Sequence, residues 1–348
     1  MHGNRRTTIK QVAKATGVST QTVSRVINDR PDVAPDTRER ILKTINELGY
    51  QPSALARSLI QQRSYTLGVV TAGLRYIGPS RTLSGITSAA EEADYSLLLK
   101  ELPRFDAEDV GPIFQGLLSH HVDGIIWAVP EVGENRNWIN QQSFNLKLPI
   151  VYITMEPKEN TATVSVDNYL GGRMAMAHLL EQGYRSIGHI SGPMDWWEAR
   201  QRMLAWKDAL RESGVEAKEE HWAEGNWSSA SGVQAVEKLF EQYPAMDSIF
   251  VANDQMALGV IQVANQKGLK IPEDLGIVGF DDIPESAFFH PPLTTVQQDQ
   301  YTVGKVAVEE VIKIIEFGWQ GVDAMDLKSM ILPPTLVVRQ SSLRSPKK

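Results

Sequence analysis

Residues 8–29 read TIKQVAKATGVSTQTVSRVIND, and the fold of the first domain is decided there. Ile9, Val12, Ala13 and Thr16 recur at helical spacing behind Thr8, a residue suited to an N-cap, and Gly17 permits the left-handed conformation that ends a helix. Ser19 is placed to cap a second helix, in which Val23, Val26 and Ile27 form one side while Gln21, Arg25 and Asn28 repeat at i, i+4 and i+7 on another. Pro35 suits the first turn of a third helix carrying Ile41, Leu42, Ile45 and Leu48, with Gly49 closing it. Three such helices can share one small core. Two of them joined by a short turn containing Gly have the shape that lays a recognition helix in the major groove. Gln21 and Arg25 then have the chemistry to read adenine and guanine, each worth about 1–3 kcal/mol of discrimination when aligned. Thr20, Ser24 and Asn28 suit phosphates or base edges. The same spacing also describes an ordinary three-helix bundle with a polar outer face.

The charge distribution separates this segment from the rest. Residues 1–63 hold 11 Lys+Arg against 5 Asp+Glu, and the remaining 285 hold 24 against 37, so a basic head of +6 sits on an acidic body of −13. Such a head suits a polyanion partner, although a solvated charged surface has the same composition. At 348 residues, 42% apolar and 22% charged, the chain is expected to fold as at least two units. It has no cysteine, which excludes disulfides, thiolate metal sites and a cysteine nucleophile. No run approaches the ~20 apolar residues of a membrane span, and the opening MHGNRRTTIKQ has no secretory apolar stretch, so a cytoplasmic protein without a membrane partner is expected.

Residues 8–29 together with VAPDTRERILKTINELGYQPSALARSL (33–59) closely resemble the headpiece of the LacI/GalR family of bacterial transcription regulators, above all in VSxxTVSRVIN and LGYxPSxxARSL. The resemblance implies base reading by Thr20, Gln21 and Arg25, and backbone contacts from Thr8, Ser19, Ser24, Asn28 and Tyr50. Beyond Pro52, SALARSLIQQRS has Ser53 as a cap and too few residues for a stable helix alone in water. In the resembling family it is a hinge helix that pairs with its dimer mate in the minor groove, where Leu59 wedges between base pairs and Ala56 sits at close approach.

From residue 66 short apolar runs alternate with helical patterns. TLGVVTA, YSLLLKEL, VDGIIWAV, PIVYIT, SIGHISG, DSIFVAND and DLGIVGFDD read as buried strands. This is an α/β pattern of parallel sheets covered by helices, long enough for two lobes. The expected division is a helix-turn-helix headpiece at 1–49, a hinge at 50–63, a two-lobed body at 64–341 and a tail at 342–348. The resembling family, whose body is like that of periplasmic sugar-binding proteins, implies a first lobe of about 64–164 and 298–328 and a second of about 165–297 and 329–341.

Ligands of such sheets bind beyond the carboxyl ends of the strands. Trp196, Trp227, Asn253 and Asp281 lie there, with Arg202 shortly after; carboxylate, amide and guanidinium groups fix sugar hydroxyls, and Trp rings cover the apolar face of a pyranose. Capping by Asn253 and Asp254, or core packing by Trp197 and Trp206, is the structural alternative. GHISGPMDWWEARQRMLAW, VANDQMALG and GIVGFDDIPESAFFHPPLTTVQQD follow LacI/GalR blocks in order, which implies effector contacts from Arg202, Asn253, Asp281, Trp227 and Gln298. Tyr76, Pro79 and Ser80 after the first strand and Trp127 at the end of another are expected to face the same cleft. Trp196 stands where purine-responsive relatives carry a basic residue, so a mono- or disaccharide is the expected effector.

The resemblance implies a homodimer on pseudo-palindromic double-stranded operator DNA, a repressor whose grip is set by that effector. SSLRSPKK at the C-terminus has no leucine heptads for a tetramerising coiled coil. A transport-associated sugar-binding protein is the rival reading; it needs a secretory signal and no headpiece. An enzyme is not expected: there is no GxGxxG after a strand, no GxxxxGK[ST] and no HExxH, His120–His121 read as a solvated helix end, and Asp281 and Asp282 as strand-end neighbours point apart. No cofactor or metal is expected.

Overall fold

Thr8, Gly17, Ser19 and Pro35, which begin or end helices, set the geometry of the first unit. The computed structural model describes residues 7–27, 30–50, 63–106, 109–133, 148–318 and 329–344, so Asn28, Ala56 and Leu59 lie outside the described residues. The chain divides into units at 1–65 and 66–348. In the first, helices α1 (Ile9–Thr16), α2 (Thr20–Ile27) and α3 (Pro35–Glu47) enclose Val12, Ala13, Val23, Val26 and Ile41. Thr8 is extended and its N–H donates to Gln11 Oε1 at 2.7 Å, closing the start of α1; Gly17, at φ 68°, ends it by donating to the Ala13 carbonyl. Ser19 Oγ accepts the Thr22 N–H at 3.1 Å and caps α2. Leu42 and Leu48 share the apolar run of α3 yet are exposed, because two eight-residue helices cover only a narrow stripe of it.

The second unit runs β1 (Thr66–Ala72), α4 (Ile77–Glu92), β2 (Ser96–Leu102), α5 (Gly111–Ser119), β3 (Gly124–Ala128), β4 (Ile150–Ile153), β5 (Ala162–Val166), α6 (Asn168–Glu181), β6 (Ile187–Ser191), α7 (Trp197–Glu212), β7 (Trp222–Glu224), α8 (Ser229–Gln242), β8 (Ser248–Val251), α9 (Asp254–Gln266), β9 (Gly276–Asp281), β10 (Thr294–Gln297), α10 (Gln300–Gly318), β11 (Met330–Leu332) and β12 (Thr335–Val337). The strands form two sheets, ordered β11-β5-β4-β3-β1-β2 and β12-β10-β9-β8-β6-β7. All pairings are parallel except β10 with β12, a short antiparallel edge on the second sheet. Interior strands β3, β6, β8 and β9 are buried nearly throughout, as helices on both faces require. YSLLLKEL does not match its reading as a buried strand: β2 pairs with β1 alone and leaves Leu99 exposed, so it is an edge.

The chain passes between the lobes three times; the first passage falls where expected and the last differs. Ser165 and Val166 still belong to the first sheet, and Asp167, whose carboxylate accepts the Leu170 N–H at 2.8 Å, starts α6 of the second lobe. Met330–Leu332, expected in the second lobe, pair with β5 of the first; the passage falls at Pro333–Pro334, where neither residue has an N–H for a ladder. Nor does the tail begin at 342: Ser342 is buried and its hydroxyl meets His178 Nε2 at 2.8 Å and Thr294 Oγ1 at 2.6 Å.

Helix α10 returns to the first lobe against α4. A Cβ on Gly85 would lie 2.0 Å from the Tyr301 carbonyl oxygen, and one on Gly304 would lie 2.2 Å from that of Thr82, so the two backbones touch through these glycines. The approach brings Thr82 Oγ1 within 3.0 Å of Gln300 Oε1, holding the middle passage against α4.

Candidate functional site

On the headpiece, burial of Val23 and Val26 turns Thr20, Gln21 and Arg25 of α2 outward, and all three are exposed. Arg25 makes an exposed 3.3 Å ion pair with Asp32. The Ser19 hydroxyl is engaged as the α2 cap, and Tyr50 packs partly buried against the headpiece core. The geometry thus offers a short helix with amide and guanidinium groups on its free face, the shape and chemistry of a major-groove reader.

In the body, β1 lies between β2 and β3, and β6 between β7 and β8, so each sheet reverses its strand order beside its first strand. A crevice opens beyond the carboxyl ends at such points. The cleft is lined there by Tyr76 and Pro79 after β1, Ala128 ending β3 and Pro130 after it, Trp196 after β6, Trp227 after β7, Asn253 after β8, Asp281 ending β9 and Gln298 after β10. Arg202 projects into it from α7.

Arg202 is 4% exposed and held on every side. Its Nε and Nη2 donate to Asn168 Oδ1 at 2.9 and 2.8 Å, its Nη1 donates to the Ala252 carbonyl, and its guanidinium carbon lies 3.8 Å from the Phe280 ring centroid. Burial pushes the Asp281 carboxyl up to about 6 against the opposing pull of Arg202 and of Gln298 Nε2, which donates to Oδ1 at 2.6 Å. Asp282 next to it turns elsewhere, accepting Arg339 Nη2 at 2.7 Å and Gln297 Nε2 at 3.0 Å, so the two carboxylates share no partner. Asn253 does both things expected of it: its Oδ1 caps α9 through the Met256 N–H at 2.9 Å while the residue lines the cleft.

Aromatic rings run along the same wall: Tyr76 to Phe105 at 6.1 Å, Phe105 to Trp196 at 5.0 Å and Trp196 to Trp227 at 5.7 Å between centroids. Phe105 belongs to the first lobe and Trp196 to the second, and beside them Asp195 Oδ2 accepts the Gly133 N–H at 2.7 Å, so the mouth is tied across the lobes. Trp227 has φ 71°, a conformation costly for an aromatic residue, by about 1–2 kcal/mol. It is kept there by Asn253 Nδ2, which donates to its carbonyl at 3.0 Å, and by Gly192, whose missing Cβ would sit 2.0 Å from the indole. Gly192→Ala is expected to displace that ring, cost about 1–3 kcal/mol of stability and weaken effector binding at least tenfold; melting and titration of the variant measure both.

Two expected cleft residues are elsewhere. Trp127 is 1% exposed and stacks on Phe114 at 5.6 Å in the first-lobe core; strand alternation gives the cleft Ala128 instead. Ser80 is exposed on α4, outside the cleft lining, and its hydroxyl donates to the Leu74 carbonyl. Sequence reasoning missed Phe105, Ser165, Asn168 and Glu198, which line the cleft. The strand-end rule applied to β2 and β5 reaches the first three, and Glu198 stands one helical turn before Arg202. His120 and His121 are exposed, with His120 Nδ1 2.8 Å from the Gly116 carbonyl. Among the described residues no group of three His, Asp or Glu is arranged to hold a metal ion, and no helix is long and apolar enough to cross a membrane.

Two family descriptions match the chain: "Bacterial regulatory proteins, lacI family" over residues 8–53 and "Periplasmic binding protein-like domain" over 176–342. The chain is 33% identical to catabolite control protein A of Priestia megaterium over 96% of its length and 99% of the relative. It is 33% identical to the PurR transcriptional repressor of Haemophilus influenzae strain PittEE (96% and 98%) and 30% identical to the lactose operon repressor of Escherichia coli K12 (97% and 91%). Among solved structures it resembles the lac repressor dimer bound to operator and the anti-inducer ONPF, with TM-score 0.86 and 29% identity over 98% of this chain and all of that one. The complex of the transcriptional regulator CelR with cellobiose is similar at TM-score 0.71 and 28% identity, over 97% and 100%. With headpiece, two-lobed body and near-complete coverage in agreement, the chain belongs to the lacI family of bacterial regulatory proteins, DNA-binding transcriptional repressors with a ligand-binding effector domain.

Proposed function

We propose that this repressor binds a pseudo-palindromic operator as a homodimer, and that a mono- or disaccharide held between the lobes controls its grip. The cleft carries the proposal: aromatic rings lie beside the buried Arg202 and the partly buried Asp281, whose charges attract each other, where the carboxyl ends of the two sheets face the cleft. The rings cover the apolar face of a pyranose, and Asp281, Arg202, Asn253 and Gln298 orient its hydroxyls. The cellobiose in the similar CelR complex supports a saccharide of this size. On DNA, Thr20, Gln21 and Arg25 read base edges, Thr8, Ser19, Ser24, Asn28 and Tyr50 hold the backbone, and Ala56 and Leu59 enter the minor groove. Phe288, 87% exposed after β9, and the exposed Leu258 on α9 give the second lobe apolar surface for a twin subunit. Operator binding places the protein in the cytoplasm, and turnover of the effector forms no part of its action.

Saccharide binding favours one arrangement of the lobes, which supports or separates the paired hinge segments. Linkage makes the coupling reciprocal: the operator complex and the free protein bind the saccharide with affinities differing by about 5- to 150-fold. Isothermal titration of glucose, cellobiose and lactose into both forms measures this. Equal affinities in the two forms overturn the coupling.

A further inference from the structure

Three buried polar atoms on the cleft wall have no partner among the described residues: Glu198 Oε2, Trp227 Nε1 and Ser165 Oγ. Groups sealed from water are paired as a rule, so orphans facing the cleft from both lobes, Ser165 from the first and Glu198 and Trp227 from the second, mark a surface completed by something else. Glu198 is the most demanding of them. It is 8% exposed in the first turn of α7 and charged when ionised.

Its neighbours do not supply the missing bond. On its own helix, Arg202 donates to Asn168 and Ala252, and Arg200 donates to the Asp195 carbonyl at 2.8 Å. From the opposite lobe the charge of Glu131, itself paired with Lys158 Nζ, repels it, and Asp281 at the end of β9 draws on the same Arg202. The three orphans also differ in kind. The indole N–H only donates, an ionised carboxylate oxygen only accepts, and a hydroxyl does either. A ligand that satisfies them presents both donors and acceptors, as sugar hydroxyls do.

We propose that Glu198 is a specificity-determining residue of the cleft, whose free Oε2 accepts a hydrogen bond from one effector hydroxyl while Trp227 Nε1 donates to a neighbouring oxygen. The inference rests on the reading of the cleft as a saccharide site and adds a requirement: a saccharide without that hydroxyl is rejected. Burial, with Glu131 adding to it, pushes Glu198 up to about 7. The accepting, ionised form is therefore scarce at pH 6 and dominant at pH 8, and saccharide affinity rises across that interval by up to about tenfold.

The test uses the full chain and Glu198→Gln. In calorimetric titrations with glucose, cellobiose and lactose at pH 6 and 8, the wild type is expected to bind more tightly at pH 8. Glu198→Gln is expected to bind at least tenfold more weakly at pH 8 and to keep only the roughly twofold rise that Asp281, pushed up to about 6, gives between pH 6 and 8. A variant with unchanged affinity and an unchanged pH profile overturns the role of Glu198 while leaving the saccharide site standing. Binding of none of these sugars by the wild type overturns the saccharide reading and this requirement with it. Melting without ligand separates a structural role: Glu198→Gln is expected to melt higher than wild type at pH 8 and alike at pH 4, below the ordinary carboxyl value, because it removes a charge whose burial Arg202, Arg200 and its own backbone N–H do not offset. A lower melting temperature at pH 8 shows a partner within the fold and overturns the proposal.

Discussion

Arg25→Ala is expected to lower affinity for a duplex selected from a random pool by about 30-fold or more, while the saccharide-induced rise in melting temperature stays intact. The side chain is half exposed, and its ion pair with Asp32 at 3.3 Å is of the surface kind, worth about 0–1 kcal/mol, so little of the headpiece fold depends on it. Val23 and Val26, which face the headpiece core, remain in place. A forked contact to guanine is worth about 1–3 kcal/mol of discrimination, and a dimer makes it twice, which gives about 2–6 kcal/mol for the pair of half-sites. The upper part of that range removes recognition altogether, leaving the salt-dependent attraction that any duplex exerts on a basic head. Fluorescence anisotropy at one fixed salt concentration, with selected and scrambled duplexes, reads both quantities. Retained discrimination removes Arg25 from base reading, and loss of the saccharide response along with DNA binding contradicts two separable modules.

Much of this architecture was legible because its signals are local. Gly17, Ser19 and Pro35 mark helix ends within one turn of where they act, and the strand runs of the body lie where they were read. What escaped is non-local. No property of Met330–Leu332 says which sheet a three-residue strand joins; the answer lies in its neighbour β5, some 165 residues earlier. In a strand buried on both faces, apolar residues alternate without a polar marker, so sequence cannot decide that Ala128 faces the cleft and Trp127 the core. Trp227 was found as an aromatic after a strand, but its left-handed backbone depends on Asn253 and Gly192, each at least 26 residues away. Glu198 gave the weakest signal, since a glutamate in the first turn of a helix ordinarily serves the helix dipole.

Asp281→Asn separates the cost of the site from its use. The carboxyl titrates at about 6 in the folded protein against 3.8 for the unrestrained group, so between those values the folded chain holds more protons than the unfolded one. The stability that goes with the protonated form is complete below 3.8 and is lost as pH rises through 6. Above that the ionised group is a net cost of up to about 3 kcal/mol, even with Arg202 and Gln298 beside it. Asn keeps an oxygen for Gln298 and carries no charge, so the variant is expected to melt higher than wild type at pH 7 and equally at pH 3. The same change removes a charge-assisted hydrogen bond to a sugar hydroxyl, worth about 1.5–3 kcal/mol, and weakens saccharide binding about 10- to 100-fold at pH 7. Differential scanning fluorimetry with and without cellobiose measures the two effects in one experiment. A variant that gains stability and loses its ligand identifies Asp281 as a group kept at the expense of the fold because the effector needs it. A variant that loses stability and keeps its ligand assigns Asp281 to the architecture of the second lobe and leaves the recognition of the saccharide to Arg202, Asn253 and the aromatic wall.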